Sequence, residues 1–399
     1  MPRRSTALVV LSFLGFASLG LPDGVLGVAW PSMRAGFGLP LDALGALLIA
    51  TTAGYVTSSF LAGALLARIS VGALLALSCL ATGATLLGYA AAPIWAAMVT
   101  LGVIAGLGAG AIDAGINTFA ATNFAPRTLH LLHAAYGVGT TAGPIWMTSV
   151  LMGGFAWQRG YLAIGAVQLV LAAGFAATLR LWPGPPRGEA SRAPPAAPLA
   201  ETLRLPKAQL GAAAFFLYLG VEATAGAWLF SLLEEGRGAS MAAAGAATSL
   251  YWGGLLVGRI GFGFAPNSLR PETLLPPAIA GAAACAALLA LDLGTASSLV
   301  AAAGLGLCVA PIFPALIGAT PERLGPTHTA NTVGVQVAAA ALGQSSLPAL
   351  AGLLAEHGGL EWVPRMIIGL ALALFAVNAL LARLPACDPI PLGIRRAGS

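Results

Sequence analysis

The stretch Leu101-Gly-Val-Ile-Ala-Gly106-Leu-Gly-Ala-Gly110-Ala-Ile-Asp113-Ala-Gly-Ile-Asn117 carries one charge, the carboxylate of Asp113, in an otherwise uncharged run. A carboxylate at the middle of a bilayer is costly, so it is retained where it faces protein or a water-filled cavity and serves a function there. The run is one of many. Apolar stretches of spanning length follow one another from Ala7 to Leu384, only 8% of the 399 residues are charged, and 58% are hydrophobic. No soluble fold keeps such a chain in solution, so the composition predicts an all-α polytopic membrane protein.

A hydrocarbon core of ~30 Å needs about 20 apolar residues as helix, and polar or Pro/Gly-marked breaks divide the chain into twelve such segments. They fall near Ala7–Trp30, Asp42–Leu66, Gly72–Ala91, Trp95–Thr122, Leu131–Gly153 and Tyr161–Trp182, then Gln209–Leu232, Met241–Phe264, Leu274–Leu291, Ser297–Ala319, Asn331–Leu354 and Val363–Leu384. Residues 183–207, with Pro-Gly-Pro-Pro-Arg and Ala-Pro-Pro-Ala-Ala-Pro, cannot continue a helix and read as a linker. The organisation is therefore a six-helix half over 1–182, a cytoplasmic linker over 183–207, and a second six-helix half over 208–399 with a short cytoplasmic tail. Two equal halves suggest a duplicated bundle with its substrate site between them, near the midplane.

Lys and Arg beside a span are retained on the cytoplasmic side. With the N-terminus inside, 15 of the 19 basic residues fall on the inner side and four, Arg34, Arg159, Arg237 and Arg365, on the outer. Both termini are thus expected in the cytoplasm, with the protein in a bacterial inner membrane. The net charge of +5 follows from this asymmetry and forms no basic face for nucleic acid. Cys79, Cys285, Cys308 and Cys387 show no metal-ligand spacing and read as small hydrophobes.

Three acids fall inside spans: Asp23 in the first, Asp113 in the fourth and Glu222 in the seventh. A carboxyl so placed can take up and release protons. Asp113 and Asn117, one turn apart, share a helix face that continues the small face of Gly106 and Gly110. In the fifth span His133, Tyr136, Gly137, Thr140 and Thr141 make a polar stripe ending at Gly143-Pro144, expected to line the cavity. The second half offers Tyr218 and Glu222 on one face, Tyr251-Trp252-Gly253-Gly254 with Trp252 as an aromatic platform, and the amides of Asn331, Gln336 and Gln344. Aromatic faces beside amides and carboxyls suit a polyhydroxylated ring. Arg68 and Arg259, at the inner ends of the second and eighth spans, are candidate gating residues that either snorkel to the interface or donate to the opposing half.

With these residues in hand, the chain resembles the major facilitator superfamily over nearly its whole length. Gly63-Ala-Leu-Leu-Ala67-Arg68-Ile-Ser70 looks like a reduced form of that superfamily's signature between spans two and three, with Ala67 in place of the usual acid. Within the superfamily the chain resembles the fucose:proton symporters and the related sodium-dependent glucose transporter-like proteins. The marks are Leu21-Pro-Asp23-Gly24, Asp113-x-x-x-Asn117, Leu132-His133-Ala-Ala-Tyr136-Gly137-Val-Gly139, Tyr218-Leu-Gly220-Val-Glu222, Tyr251-Trp252-Gly253-Gly254 with Gly258-Arg259, and Ala310-Pro311-Ile-Phe-Pro314. The resemblance implies that acids in spans one and four serve proton coupling and sugar binding, which falls on Asp23 and Asp113; many members carry Glu at the latter position.

The expected function is secondary active transport: proton-coupled symport of a small polar solute, most simply a sugar. Asp113, Asp23 and Glu222 are the coupling candidates. Asn117, His133, Tyr136, Thr140, Tyr218, Trp252, Asn331 and Gln336 are the substrate contacts. The alternative is a proton-coupled exporter of drugs or metabolites, since Gly139-x-x-x-Gly143-Pro144 partly resembles an exporter signature, although Ile145-Trp146 follows instead of small residues. A non-transporting sensor is a weaker alternative. An intramembrane enzyme fits poorly, because HExxH, GxSxG, P-loop and His/Asp or Cys/His patterns are absent from the sequence. The expected partners are a small-molecule substrate, protons and the lipid bilayer, for a monomer with no cofactor and no metal.

Overall fold

The computed structural model describes residues 3–124, 126–182, 184, 197–264 and 271–384, in which every regular element is a helix and there is no strand. The first half comprises α1 (Arg3–Phe37), α2 (Leu44–Leu66), α3 (Val71–Ala91), α4 (Trp95–Asn123), α5 (Pro126–Met152) and α6 (Trp157–Ala177). A short α7 (Leu199–Arg204) leads into the second half: α8 (Pro206–Ser231), α9 (Met241–Gly263), α10 (Pro271–Ala290), α11 (Thr295–Val309), α12 (Ile312–Leu324), α13 (Pro326–Gly358) and α14 (Trp362–Arg383). Counting α11 and α12 as one span broken at Ala310-Pro311, these are the twelve expected spans. Among the described residues, ten are long and apolar enough to cross a membrane by length and composition. The more polar α5 and α9 complete the set.

Several boundaries move for a physical reason. Pro31 was expected to close the first span at Trp30, yet α1 runs through Pro22 and Pro31 to Phe37. Neighbouring helices tolerate such breaks because they satisfy the freed backbone groups. The seventh span begins at Pro206, so part of the expected linker is folded. There the Asn331 side-chain amide donates to Ala197 O at 2.7 Å, Ala197 N donates to Thr327 O at 3.0 Å, and Thr202 Oγ1 lies 2.9 Å from His328 Nδ1. The rest of that linker, 185–196, and the tail, 385–399, lie outside the described residues, as do Arg187, Arg192, Arg270, Arg395, Arg396 and Cys387.

Helix pairing repeats between the halves. In the first, α1 packs on α5, α2 on α4 and α3 on α6; in the second, α8 packs on α13, α9 on α11 and α10 on α14. Glycines make these crossings close enough for backbone to touch backbone. A Cβ on Gly54 would strike Val103 O and one on Gly106 would strike Thr51 O; in the second half Gly254 faces Ala303 O and Gly306 faces Tyr251 O in the same way. Each of these positions recurs with 200 added to its number, which is the signature of a duplicated bundle.

The halves meet through α5–α9, α2–α13 and α1–α8. Gly245 lies against Thr148, Gly45 against Ala349, Gly352 against Asp42, and Gly27 of α1 against the carbonyl of Gly226 in α8. These contacts run from mid-span toward the end carrying the α1–α2 turn, here the far end. Toward the opposite end, where α1 begins and α14 stops, Phe60 and Leu61 of α2 and Val257 and Ile260 of α9 are exposed. The result is a cleft closed at the far end and open at the terminal end.

Candidate substrate and proton site

Asp113 sits on α4 where the small face of Gly106 and Gly110 lets α2 lie almost on its backbone. That approach brings Tyr55 of α2 within reach, and its hydroxyl donates to Asp113 Oδ2 at 2.7 Å. Asn117, one turn on, donates its amide to Asp113 Oδ1 at 3.0 Å. Both carboxylate oxygens are thus held by neutral donors from fixed elements.

Asp23 has a parallel arrangement. It is exposed although it lies in the middle of α1, and the Tyr136 hydroxyl of α5 donates to its Oδ2 at 2.7 Å. Reciprocal glycines again bring the helices together, with Gly139 against Ala17 O and Gly20 against Tyr136 O. No cation pairs with Asp23 or Asp113 among the described residues.

Glu222, on the facing half, is different in kind. Arg259 Nη2 lies 3.2 Å from its Oε2 and 3.3 Å from its Oε1, the Tyr218 hydroxyl donates to the same carboxylate, and the Tyr251 hydroxyl donates to the Glu222 carbonyl at 2.8 Å. This ion pair is largely buried, with side-chain exposures of 8% for Glu222 and 20% for Arg259. Asp23 and Tyr136 on the first half lie near enough to Glu222 on the second for their charges to be felt across the cleft.

The structure accordingly brings together Asp23, Tyr136, Asp113, Asn117, Tyr218, Glu222 and Arg259, and adds Tyr55, which sequence reasoning missed. Tyr55 lies 58 positions from its partner, and its one signal was a Tyr among small and hydroxyl residues in a span. His133 is exposed on α5, one turn from Tyr136 toward the terminal end, with its ring edge-on to Phe16. Other expected contacts are corrected. Thr140 is buried at the α1–α5 crossing and its hydroxyl donates to Gly137 O in its own helix. Asn331 anchors α7, and Gln336 is buried, accepting from Thr320 Oγ1 at 3.1 Å. Trp252 presents no open face: it is 5% exposed and packs on Gly226, with no partner for its indole N–H among the described residues. Arg259 engages an acid of its own half, not of the opposing one. Arg68 lies exposed at the terminal end.

A duplicated twelve-span bundle with ionisable groups facing a central cleft, open at one end, defines the architecture of a membrane transporter. The chain belongs to the Major Facilitator Superfamily, whose family model matches residues 12–345; it is an integral membrane protein and a transporter. Over 192 residues, 45% of this chain, it is 30% identical to Bypass of stop codon protein 6 of Saccharomyces cerevisiae (strain ATCC 204508 / S288c), and the match spans 38% of that protein's length. Among solved structures, a mutant of the nucleoside transporter NupG is similar with a TM-score of 0.78 at 16% identity, covering 95% of this chain and 100% of the other. A bacterial homolog of the human lysosomal transporter Spinster, in an inward-facing and occupied conformation, gives 0.68 at 15% identity, covering 95% and 96%. At such identities the two structures speak for the fold alone.

Proposed function

We propose that this protein is a proton-coupled symporter that takes up a small polar solute, a sugar in the first instance, by alternating access, and that it falls in the fucose:proton symporter branch. The observation that carries the proposal is the setting of Asp113. Tyr55 and Asn117 hold both its oxygens, no cation among the described residues pairs with it, and a proton is the simplest countercharge. Asp23 with Tyr136 forms a second such group, exposed in the cleft. Glu222 is already compensated by Arg259 and is the weakest of the three coupling candidates. Hydroxyl, amide and carboxylate groups facing one cleft match the alternating donors and acceptors of a hydroxylated ring, free or as part of a nucleoside. The excess of basic residues at the terminal end supports a cytoplasmic orientation for it, and on that reading this is an inward-open state of an inner-membrane protein.

The energy suffices: a proton crossing ~100 mV contributes about 2.3 kcal/mol, enough for roughly fifty-fold accumulation of a neutral solute. The test is uptake into proteoliposomes, preceded by a thermal-shift screen of sugars and nucleosides to find a ligand that stabilises the purified protein. An inward proton gradient is expected to drive accumulation of that ligand without sodium. Accumulation that follows a sodium gradient and ignores pH would reject the coupling.

A further inference from the structure

Toward the far end, α13 and α14 frame a groove of about 260 Å³. Leu347, Leu350 and Leu354 form one wall, and Met366 and Leu370 form the other. Gly369, also part of the lining, has nothing within 4 Å of the place a Cβ would take. α14 packs on α8, α10 and α13, all of its own half, and α13 turns a different side, Ala349 and Gly352, to the first half. The groove therefore opens on the outside of the bundle, toward the bilayer, with Leu350 and Trp362 exposed.

Its mouth carries Trp362 and Arg365, whose guanidinium lies 5.8 Å from the Trp362 ring centroid. Arg365 is exposed. The acid one turn before it, Glu361, stands where an i, i+4 ion pair would form. That acid is already taken: Arg237 reaches its two oxygens at 2.7 and 2.8 Å. Arg365 pairs with no acid among the described residues. Trp362 to Leu370 spans roughly 12 Å of helix rise, which stays within one leaflet, half of the ~30 Å hydrocarbon core. The result is a positive charge beside an indole at the membrane edge, above an apolar slot that runs inward along one leaflet.

We propose that this groove binds one anionic phospholipid of the far-end leaflet, such as phosphatidylglycerol, with its phosphate on Arg365 and an acyl chain against Leu347, Leu350 and Leu354. A guanidinium offers forked donors to phosphate, and a Trp at this level sits among headgroups. Charge argues against a second copy of the chain as the occupant, because two-fold pairing about the groove would bring each Arg365 toward its own counterpart. The lipid lies outside the cleft, so the assignment is independent of the sugar and proton readings.

The full chain, delipidated in a neutral detergent, is offered phosphatidylglycerol or phosphatidylcholine with identical acyl chains, and native mass spectrometry counts the lipid retained. The parent is expected to retain one phosphatidylglycerol at least threefold more than phosphatidylcholine, whose choline offsets its phosphate. Arg365→Gln should abolish that preference. Arg159→Gln should keep it, since Arg159 lies over Phe155 at the same end and lines no part of the groove. Gly369→Leu fills the slot without striking a neighbour and should lower retention of both lipids at least threefold in a monodisperse protein. Glycerol 3-phosphate at equal concentration should not compete. Equal retention of the two lipids by the parent would overturn the proposal, as would unchanged retention in Gly369→Leu or an Arg159→Gln loss matching that of Arg365→Gln. Displacement by glycerol 3-phosphate would make this a site for soluble phosphate instead. A lipid-free parent dimer that Gly369→Leu splits would give the groove to a second copy.

Discussion

Asp113 is the residue on which the proposed coupling turns, and its geometry makes the test clean. Asp113→Asn preserves size and still engages Tyr55 and Asn117, but it cannot exchange a proton. Gradient-driven accumulation in proteoliposomes should vanish, while ligand binding and counterflow exchange survive at least in part. Persisting accumulation would assign Asp113 a structural role, and if Asp23→Asn then abolished it, coupling would belong to α1. Glu222 and Arg259 carry a different expectation. Removing one partner of a largely buried pair leaves an uncompensated charge, so Glu222→Gln or Arg259→Gln alone should cost about 3 to 5 kcal/mol, while the double variant loses much less than the sum. Thermal denaturation in detergent measures this, and additive losses would mean the pair is not coupled. At this scale the sequence revealed partners within one helix and little else. Asp113 and Asn117 were legible because they are one turn apart. Tyr55 with Asp113 and Tyr136 with Asp23 lie 58 and 113 positions apart and needed the fold. Thr140 was misread because its polar stripe also carries the glycines that bury it against α1.

Among the elements, the glycine crossings set helix separation, and they yield a prediction with its own control. Gly106 has no room for a side chain because a Cβ would fall on the Thr51 carbonyl, whereas Gly63, also in a helix, has nothing within 4 Å. Gly106→Val should destabilise by at least about 1 to 3 kcal/mol through forced separation of α2 and α4. Gly63→Ala should be neutral or stabilise by a few tenths to 1 kcal/mol. Melting temperatures of the two purified variants decide it, and equal behaviour would mean that α4 tolerates movement away from α2. All twelve spans were legible from apolar length, yet proline misled twice: α1 continues through Pro31, while Pro311 divides a span read as continuous. In a bilayer the outcome depends on which neighbour satisfies the freed carbonyl, and a single sequence does not state that. The duplication was written in the glycines: 45 and 245, 54 and 254, 106 and 306. Six-and-six counting alone did not bring out that register.

For the whole molecule, the cleft's one open mouth lies at the terminal end, so sidedness decides which compartment it faces. The basic residues predict that end to be cytoplasmic. A protease-cleavable tag after Ser399 should therefore be protected in intact cells and cut in inverted membrane vesicles. The opposite pattern would make the same structure outward-open. An expected orientation can be drawn from the sequence because it depends on sums over many residues. The cleft cannot, since it depends on where two bundles touch.

That touching point has a mechanical consequence. Gly27 of α1 lies against the carbonyls of Gly226 and Ala227 in α8, so the two helices cross there backbone to backbone and the crossing can serve as a fulcrum on which they tilt. The fulcrum is off centre. At 1.5 Å per residue, the arm of α1 from Gly27 to Arg3 is roughly 36 Å long and the arm to Phe37 roughly 15 Å. A rigid tilt that parts the far end by a small distance must swing the terminal end more than twice as far. Modest movement at the narrow side is thereby geared into a larger movement at the wide one.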